Sequence, residues 1–320
     1  MRVLVTGAGG FIGSHVAERL LRDGYEVRVL DNFSSGRRSN LLSVVDEIEL
    51  VEGDIQSYER VHTAVRGCDL VVHEAALPSV PRSVQDPLTS NATNVIGTLN
   101  VLLAARDSGV QRVVCASSSS VYGANETLPK AESLPAEPIS PYAVGKLASE
   151  GYCRSFWEVY GLDTVALRYF NVFGPRQDPL SQYAAVVPIF INALLDGEQP
   201  VIYGDGNQTR DFTYIDNVAE GTALALTAPP EVAGKVFNIA YGEGVTVNTL
   251  FELVCDLAGA DVKPRLVEER PGEVRHSKAD ITRATLELGY RPSVSLAQGL
   301  SLTIDYYRRR RSESTHPVHL

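Results

Sequence analysis

The residues most able to do chemistry are Tyr142 and Lys146, four apart in Tyr142-Ala143-Val144-Gly145-Lys146. On a helix, positions i and i+4 share a face, so phenol and ammonium point the same way. A free tyrosine loses its proton near pH about 10, and a neighbouring cation favours the phenolate, making a base usable near neutrality. A second block, Ser117-Ser118-Ser119-Ser120-Val121-Tyr122-Gly123, follows an apolar run and gathers four hydroxyls at its end. A serine there can hydrogen-bond a ligand hydroxyl and orient it toward the tyrosine. An exposed tyrosine beside a lysine, or a plain serine-rich turn, would look the same in isolation.

The third block lies at the start of the chain. Arg2-Val3-Leu4-Val5-Thr6 reads as a buried strand, cut off by Gly7-Ala8-Gly9-Gly10-Phe11-Ile12-Gly13. Apolar residues at Ile12, Val16, Leu20 and Leu21 then mark one helix face. A strand, a glycine-rich turn and a helix place unpaired N–H groups and the positive dipole end where a phosphate can bind. Side chains in the turn would block the approach of a pyrophosphate, or of helix to strand. The spacing Gly7-x-x-Gly10-x-x-Gly13 differs from G-x-G-x-x-G. A second apolar strand at 27–30 ends in Asp31, about where an acid would hold an adenosine ribose, so the turn is assigned to a dinucleotide. That carboxylate accepts from a ribose 2′-OH and repels a 2′-phosphate, which favours NAD over NADP; Arg37 and Arg38 are read as solvated.

These blocks need a frame. Further strands are expected at 48–51, 70–73, 112–116 and 164–167, with helices at 58–66, 88–105 and 142–160. Continuous apolar strands alternating with helices imply an α/β fold, a Rossmann-type doubly wound parallel sheet covered on both faces. Ligands in such folds gather at the carboxyl ends of the strands. From about residue 171 the pattern is irregular, punctuated by Pro175, Pro179 and Pro188 and by the turn Gly204-Asp205-Gly206-Asn207. Helices are expected at 212–226, 249–257 and 296–307, and a strand at 236–239 that rejoins the sheet. The division expected is a cofactor domain over 1–170, rejoined by 206–240, and a smaller discontinuous substrate domain over 171–205 and 241–307. Residues 308–320, with four arginines, read as a solvated mobile tail.

Composition narrows the classes. The chain of 320 residues is 44% hydrophobic and 21% charged, with net charge −10, which argues against a nucleic-acid or anionic-membrane surface. Cys68, Cys115, Cys153 and Cys255 are far apart among apolar neighbours, so buried thiols in a reducing compartment are expected. No histidine spacing suggests a metal. An immediate N-terminal strand leaves no room for a signal peptide, and no stretch approaches the roughly 18 apolar residues of a membrane span. A cytoplasmic protein is the expectation.

Taken together, the blocks resemble the extended short-chain dehydrogenase/reductase family, and within it the nucleotide-sugar 4-epimerases. The resemblance runs from Thr6-Gly7 to about Tyr307. It includes the glycine turn, Gly53-Asp54-Ile55, His73-Glu74-Ala75-Ala76, Asn94-Val95-Ile96-Gly97-Thr98, Ser117–Gly123 and Ser140–Lys146. It continues in Arg168-Tyr169-Phe170-Asn171-Val172-Phe173-Gly174, Arg210-Asp211-Phe212 and Arg270-Pro271-Gly272-Glu273. It implies that Gly7, Gly10 and Gly13 cradle the NAD pyrophosphate where Phe11 and Ile12 start the helix. It also implies that Asp31 and Asn32 attend the adenosine ribose, Asp54 and Ile55 flank the adenine, and Ala75, Ala76 and Asn94 line the cofactor channel. Lys146 would hold the nicotinamide ribose, Ser118 would be the catalytic hydroxyl and Tyr142 the base. Ser79, Ser119, Ser120, Asn171, Val187, Arg210, Arg270 and Glu273 would contact a nucleotide-sugar; arginine suits its diphosphate.

Members of the family share a first step, oxidation of the sugar at C4 to a 4-keto sugar. Relatives that dehydrate or decarboxylate it carry acids just after the serine position, where this chain has Ser119 and Ser120. Hydroxyls neither donate nor accept protons readily near neutral pH. The resemblance therefore implies return of the hydride to the other face, which inverts C4 of a UDP-hexose. Small residues (Ser118, Ser119, Ser120, Ala184, Ala185) would leave the hexose free to turn. Ser277 stands where a bulky residue would exclude an acetamido group, and Asn171 and Asp178 depart from the threonine and arginine of uronate epimerases. A UDP-glucuronate 4-epimerase, another nucleotide-sugar dehydratase or reductase, and a non-catalytic NAD-binding regulator are the alternatives. By the same resemblance a homodimer forms through the 88–105 and 142–160 helices.

Overall fold

A computed structural model describes residues 1–178, 185–269 and 274–315. Its centre is a seven-stranded parallel sheet. The strands are β1 (Arg2–Thr6), β2 (Glu26–Asp31), β3 (Ile48–Glu52), β4 (Leu70–His73), β5 (Arg112–Ser118), β6 (Asp163–Tyr169) and β7 (Lys235–Ile239), in spatial order β7-β6-β5-β4-β1-β2-β3. Alternation along each strand divides the interior into two cores. Val3, Val5, Val29, Val72, Val114 and Val165 face α1 (Phe11–Arg22) and, further along the chain, the helix Ile215–Thr227. Leu4, Leu30, Val71, Val113 and Cys115 face the other side, against α2 (Tyr58–Val65), α3 (Gly97–Asp107) and α4 (Pro141–Tyr160). The central strands read as unbroken apolar runs because both of their faces are covered.

The order of strands reverses between β1 and β4. Their carboxyl ends open a crevice there, the switch point at which such sheets take ligands. Thr6–Gly7 and His73–Glu74 form its two lips, and β5 with the start of α4 forms the wall beyond.

Several elements differ from the sequence reading. The expected 88–105 helix is three pieces, Pro87–Asn91, a π turn at Ala92–Ile96, and α3. The expected helix from 212 starts at Ile215, because Thr213–Tyr214 pairs as a short strand with Val172–Phe173. We label the remaining helices α5 (Val186–Leu195), α6 (Ile215–Thr227), α7 (Val247–Ala258) and α8 (Leu296–Thr315). In the sequence, α5 was hidden in a loop-rich stretch; its Pro188 falls in the first helical turn, where a missing N–H costs little. Phe190 meets Phe251 edge-on at 5.6 Å, joining α5 to α7. Of the residues 308–320 read as a mobile tail, 308–315 instead continue α8, and 316–320 lie outside the described residues. Arg311 bonds Asp196 and Asn192 on α5, and Arg308 donates to the Ala258 carbonyl at the end of α7. Arginines three apart on one helical side each found an acceptor, which sequence spacing could not reveal.

One buried ion pair holds α4 to the sheet beside the crevice. Arg168 Nε and Nη2 donate to Glu150 Oε1 and Oε2 at 2.8 and 2.7 Å, and Ser117 Oγ donates to the same carboxylate at 2.5 Å. Both charged side chains are nearly inaccessible, at 6% and 5% exposure. Removing one partner of a buried pair is far more damaging than removing both. Glu150→Gln should lower the unfolding free energy by roughly 3–5 kcal/mol in urea titrations. The double variant Glu150→Met/Arg168→Met should lose less, and a single-variant loss under about 1 kcal/mol would contradict this account.

Candidate functional site

The glycine turn is held by contacts that leave no room for side chains. Gly7 has φ +73°, and a Cβ there would lie 2.6 Å from the Ala75 Cα and N. A Cβ on Gly13 would lie 2.3 Å from the Gly7 carbonyl oxygen. The helix start is thus folded onto the turn, and the turn onto the loop after β4. Gly10 is the N-cap of α1 and offers no side-chain acceptor, so the first N–H groups of α1 at Phe11 and Ile12 are left for an anion. This is a cradle that any Cβ would fill, and it fits a pyrophosphate.

At the end of β2, Asp31 accepts from the Gly9 N–H at 2.8 Å and the Phe33 N–H at 2.7 Å. Burial pushes its pKa up, and the two N–H donors oppose that shift. Each oxygen keeps a lone pair for a ribose hydroxyl. Gly9 and Gly36 were missed as functional positions. A Cβ on Gly36 would sit 2.6 Å from the Gly9 carbonyl carbon, so its loop closes against the turn. The additional glycine between Gly7 and Gly10 was the available signal.

Asn32 is exposed and donates to Asp54 at 2.8 Å, which places both at one rim of the crevice. The Ile55 side chain is buried against Gly97 in the α3 interface. Arg37 pairs with Asp178 at 2.6 Å, and Arg38 pairs with Glu52 while lying 4.2 Å over the Phe33 ring. Both guanidinium groups have carboxylate partners, which agrees with a 2′-hydroxyl rather than a 2′-phosphate beside Asp31.

Across the crevice, Tyr142 and Lys146 occupy the first turns of α4. Ser140 caps that helix by accepting from the Ala143 N–H at 3.2 Å, with Pro141 in its first position. Lys146 is buried, and its Nζ donates to the Ala116 carbonyl at 2.8 Å while standing 5.9 Å from the Tyr142 ring centre. Tyr142 is half-buried, and its N–H donates to Ser83 Oγ at 3.0 Å. Ser118 ends β5, two residues beyond Ala116, and its Oγ accepts from Ser120 Oγ at 2.9 Å. Ser119 and Ser120 lie in the following 3₁₀ turn, both half-buried. The structure therefore brings the tyrosine, the lysine and the serines to one edge.

Between these walls runs an ordered chain of hydrogen bonds. The Ala75 N–H donates to Thr6 Oγ1 at 3.2 Å, and Thr6 Oγ1 lies 2.7 Å from His73 Nδ1. His73 Nε2 lies 3.0 Å from Thr98 Oγ1, which donates to the Asn94 carbonyl at 2.7 Å. Only a neutral imidazole protonated at Nε2 satisfies every donor and acceptor in that direction. Ala75 and Ala76 remain half-buried at the crevice. The Asn94 amide is tied to Leu77, accepting from its N–H at 2.8 Å and donating to its carbonyl at 3.1 Å, so it shapes the 75–79 loop. Ser79 caps the next helical turn, accepting from the Arg82 N–H at 3.2 Å.

The contacts expected for a second ligand are less uniform. Asn171 (φ +31°) and Arg210 are half-buried, and Arg210 Nη1 donates to the Thr209 and Arg275 carbonyls. Ser277 is half-buried next to the Arg210 strand, its N–H donating to the Thr209 carbonyl at 3.1 Å. The Val187 side chain is 1% exposed and belongs to the core. Ala184, Arg270 and Glu273 lie outside the described residues. Two carboxyl groups escaped the sequence reading. Glu74 accepts from Tyr169 at 2.7 Å, and burial pushes it up to about 7. Asp211, fully buried, accepts from the N–H groups of Tyr241, Gly242 and Ala279, and burial pushes it up to about 6. The motif Arg210-Asp211-Phe212 was the signal for Asp211.

A glycine cradle at the switch point, an acid at the second strand and a tyrosine–lysine pair beyond β5 define a dinucleotide-dependent enzyme of the short-chain dehydrogenase/reductase class. The chain belongs to the NAD dependent epimerase/dehydratase family, whose model matches residues 3–240, and its cofactor is NAD. It is 41% identical over 314 residues to the UDP-glucose 4-epimerase of Mycolicibacterium smegmatis, covering 97% of this chain and 99% of that one. The Thermotoga maritima UDP-glucose 4-epimerase solved with UDP-glucose superposes with a TM-score of 0.92 at 40% identity, covering 97% and 100% of the two chains. A UDP-N-acetylglucosamine 4-epimerase from Methanobrevibacter ruminantium, in complex with UDP-N-acetylmuramic acid, gives 0.92 at 41% identity, covering 97% and 98%. Among the described residues no helix is long and apolar enough to cross a membrane, and no cluster of side chains could hold a metal.

Burial, and after it the Lys146 charge, lowers His73 from its ordinary value to about 3. The unfolded chain takes up this proton near pH about 6.5 and the folded chain does not, so the contribution is complete above about 6.5 and is lost as pH falls toward 3. In urea titrations between pH 7 and 5, His73→Gln should lose stability less steeply on acidification than the parent, by at most about 1.4 kcal/mol per pH unit. Parallel slopes would mean that His73 does not titrate in this way.

Proposed function

We propose that the protein inverts C4 of a UDP-linked hexose through a transient 4-keto sugar. The observation that carries this reading is the chemistry of the stretch after Ser118. Ser119 and Ser120 stand there at the half-buried edge facing Tyr142's helix, and no carboxylate lies between Ser118 and Tyr122. Tyr142 takes the proton from the sugar 4-hydroxyl, and Ser118 orients that hydroxyl by hydrogen bonding. When bound, NAD supplies the acceptor and later the donor of the C4 hydride. Its pyrophosphate would be held by Gly7, Gly10, Phe11, Ile12 and Gly13, its adenosine by Asp31, Asn32, Asp54 and the backbone of Ile55, and its nicotinamide ribose by Lys146. Ala75, Ala76 and Asn94 shape the channel between. With only hydroxyls between Ser118 and Tyr122, that stretch offers no acid or base to remove water or carbon dioxide from the keto sugar, so the sugar turns over and Tyr142 returns the proton.

Asn171, Arg210, Arg270 and Glu273, with the backbone alone of Val187, are assigned to the nucleotide and diphosphate, and Ser79, Ser119 and Ser120 to the hexose. The likeness to epimerases of UDP-glucose and UDP-N-acetylglucosamine supports both hexoses, and a small residue at Ser277 leaves space for an acetamido group. In this reading residues 1–170 with 206–240 bind the cofactor, and 171–205 with 241–307 bind the sugar nucleotide. Two copies pair through the faces that expose Leu88, Ile96 and Val144, at 83%, 45% and 53%. Four unpaired buried cysteines fit action in the cytoplasm.

Incubation with UDP-glucose, UDP-N-acetylglucosamine and UDP-glucuronate, without added NAD, tests the reaction by proton NMR. Interconversion of gluco and galacto forms of either of the first two is the expected result. A 4-keto-6-deoxy product, loss of carbon dioxide, or turnover of UDP-glucuronate alone would replace this reading. Tyr142→Phe should reduce kcat by about 10²–10⁴-fold while UDP-sugar still binds, as titration calorimetry would show. A variant that kept most of its turnover would remove Tyr142 from the role of base.

A further inference from the structure

Glu74 is a carboxyl at the crevice to which the reaction proposed above gives no part. It is the first residue after β4, and its backbone packs on the glycine turn: a Cβ on Gly7 would lie 2.9 Å from the Glu74 carbonyl carbon. Strands β6, β5 and β4 are neighbours in that order, with His73 level with Cys115 and Ser118 level with Tyr169. The Glu74 side chain therefore crosses the end of β5 to reach β6, where Oε1 accepts from the Tyr169 hydroxyl at 2.7 Å. The residue is half-buried, and what exposure it has lies at the carboxyl ends of the strands, toward the crevice. Around it, Lys146 of α4 is the charge that acts on it, with Nζ bonded to the Ala116 carbonyl. Tyr169 is buried beside the Cys115 thiol of β5 and lies 2.9 Å from Thr222 Oγ1 of α6. His73 is neutral and bonded toward Thr98, and Arg19 of α1 is paired with Asp23 and with Glu220 of α6. Glu150 has a guanidinium fork, whereas Glu74 has a phenol and no ion pair among the described residues.

We propose that Glu74 takes up a proton when a nicotinamide dinucleotide fills the crevice, so that affinity for the cofactor falls as pH rises. Within the chain by itself, burial raises this carboxyl to about 7, against the Tyr169 bond and the Lys146 charge, which favour ionisation. Filling the crevice removes water from the carboxyl and sets a negative pyrophosphate against the Gly7 turn on which Glu74 packs. Both changes disfavour a second anion there. The neutral form needs no rearrangement. A protonated Glu74 donates to Tyr169, Tyr169 donates to Thr222, and Thr222 donates to the Val218 carbonyl at 2.9 Å, so each hydroxyl keeps a partner. The inference requires the cofactor alone and holds whatever the sugar chemistry, so its failure would leave the proposed reaction standing.

The nicotinium charge of NAD opposes the effect and NADH lacks it, so NADH is the probe. Protein freed of nucleotide is titrated calorimetrically with NADH in PIPES and in Tris, and the difference in heat between the two buffers counts the protons exchanged. Part of one proton should be taken up per site by the parent and none of it by Glu74→Gln, whose amide oxygen still accepts from Tyr169. Between pH about 7 and 9 the affinity of the parent should fall by up to about tenfold per pH unit, while that of Glu74→Gln stays level. Tyr169→Phe keeps the carboxyl but removes a donor that favours ionisation, so its uptake should move to higher pH. Equal uptake by the parent and Glu74→Gln, or release of a proton on binding, would overturn the proposal. Should Glu74→Gln fail to bind NADH, the Tyr169→Phe profile decides: an unmoved profile defeats the assignment to Glu74.

Discussion

The structure depends on how closely its backbone segments approach at the mouth of the crevice. Gly7, the start of α1 and the loop after β4 touch at distances that exclude even a methyl group. That closeness aims the unpaired N–H groups of α1 into a narrow slot, where an anion meets fixed dipoles rather than mobile water. Glycine costs conformational entropy when a chain folds. Here the cost is offset by the buried strands that flank the turn, Val3–Val5 and Leu70–Val72, none more than 4% exposed.

The second lip depends on the first through buried polar groups. Thr6 and His73 are paired in parallel register at the ends of β1 and β4, and their side chains join the Ala75 N–H to the Asn94 carbonyl. Buried polar chains are rigid when every member is satisfied and costly when one is not. Asn94 sits in a π turn, and its amide bonds both the N–H and the carbonyl of Leu77. The same principle governs α4. Lys146 is held by the Ala116 carbonyl and Glu150 by Ser117 and Arg168, so one helix carries the Tyr142 phenol and the bonds that fix its position.

Much of the site was legible because its logic is local. A glycine triplet between a strand and an amphipathic stretch describes its own geometry, and a tyrosine four residues before a lysine describes its shared face. What escaped came from partners far along the chain. Glu74 was one residue in a recognised block, and nothing local announced that Tyr169 would donate to it across 95 positions. Ile55 and Val187, taken from the resemblance as ligand contacts, have side chains that the fold commits to packing. Helix α5 was obscured by Pro188, which falls in its first turn, where a helix tolerates it.

Sequence by itself determined the parallel α/β frame, the position of the glycine turn and the types of residue gathered at the strand ends. These follow from periodicity, from the conformations open to glycine and from the chemistry of single side chains, all readable within a few residues. Tertiary structure decided which donor meets which acceptor: Gly9 with Asp31, Lys146 with Ala116, Asn94 with Leu77, and two arginines of one run against α5 and α7. The reason is physical. A hydrogen bond or ion pair is set by three-dimensional distance and direction over a few ångströms, and residues 17 to 115 positions apart come within that range only after the sheet has closed.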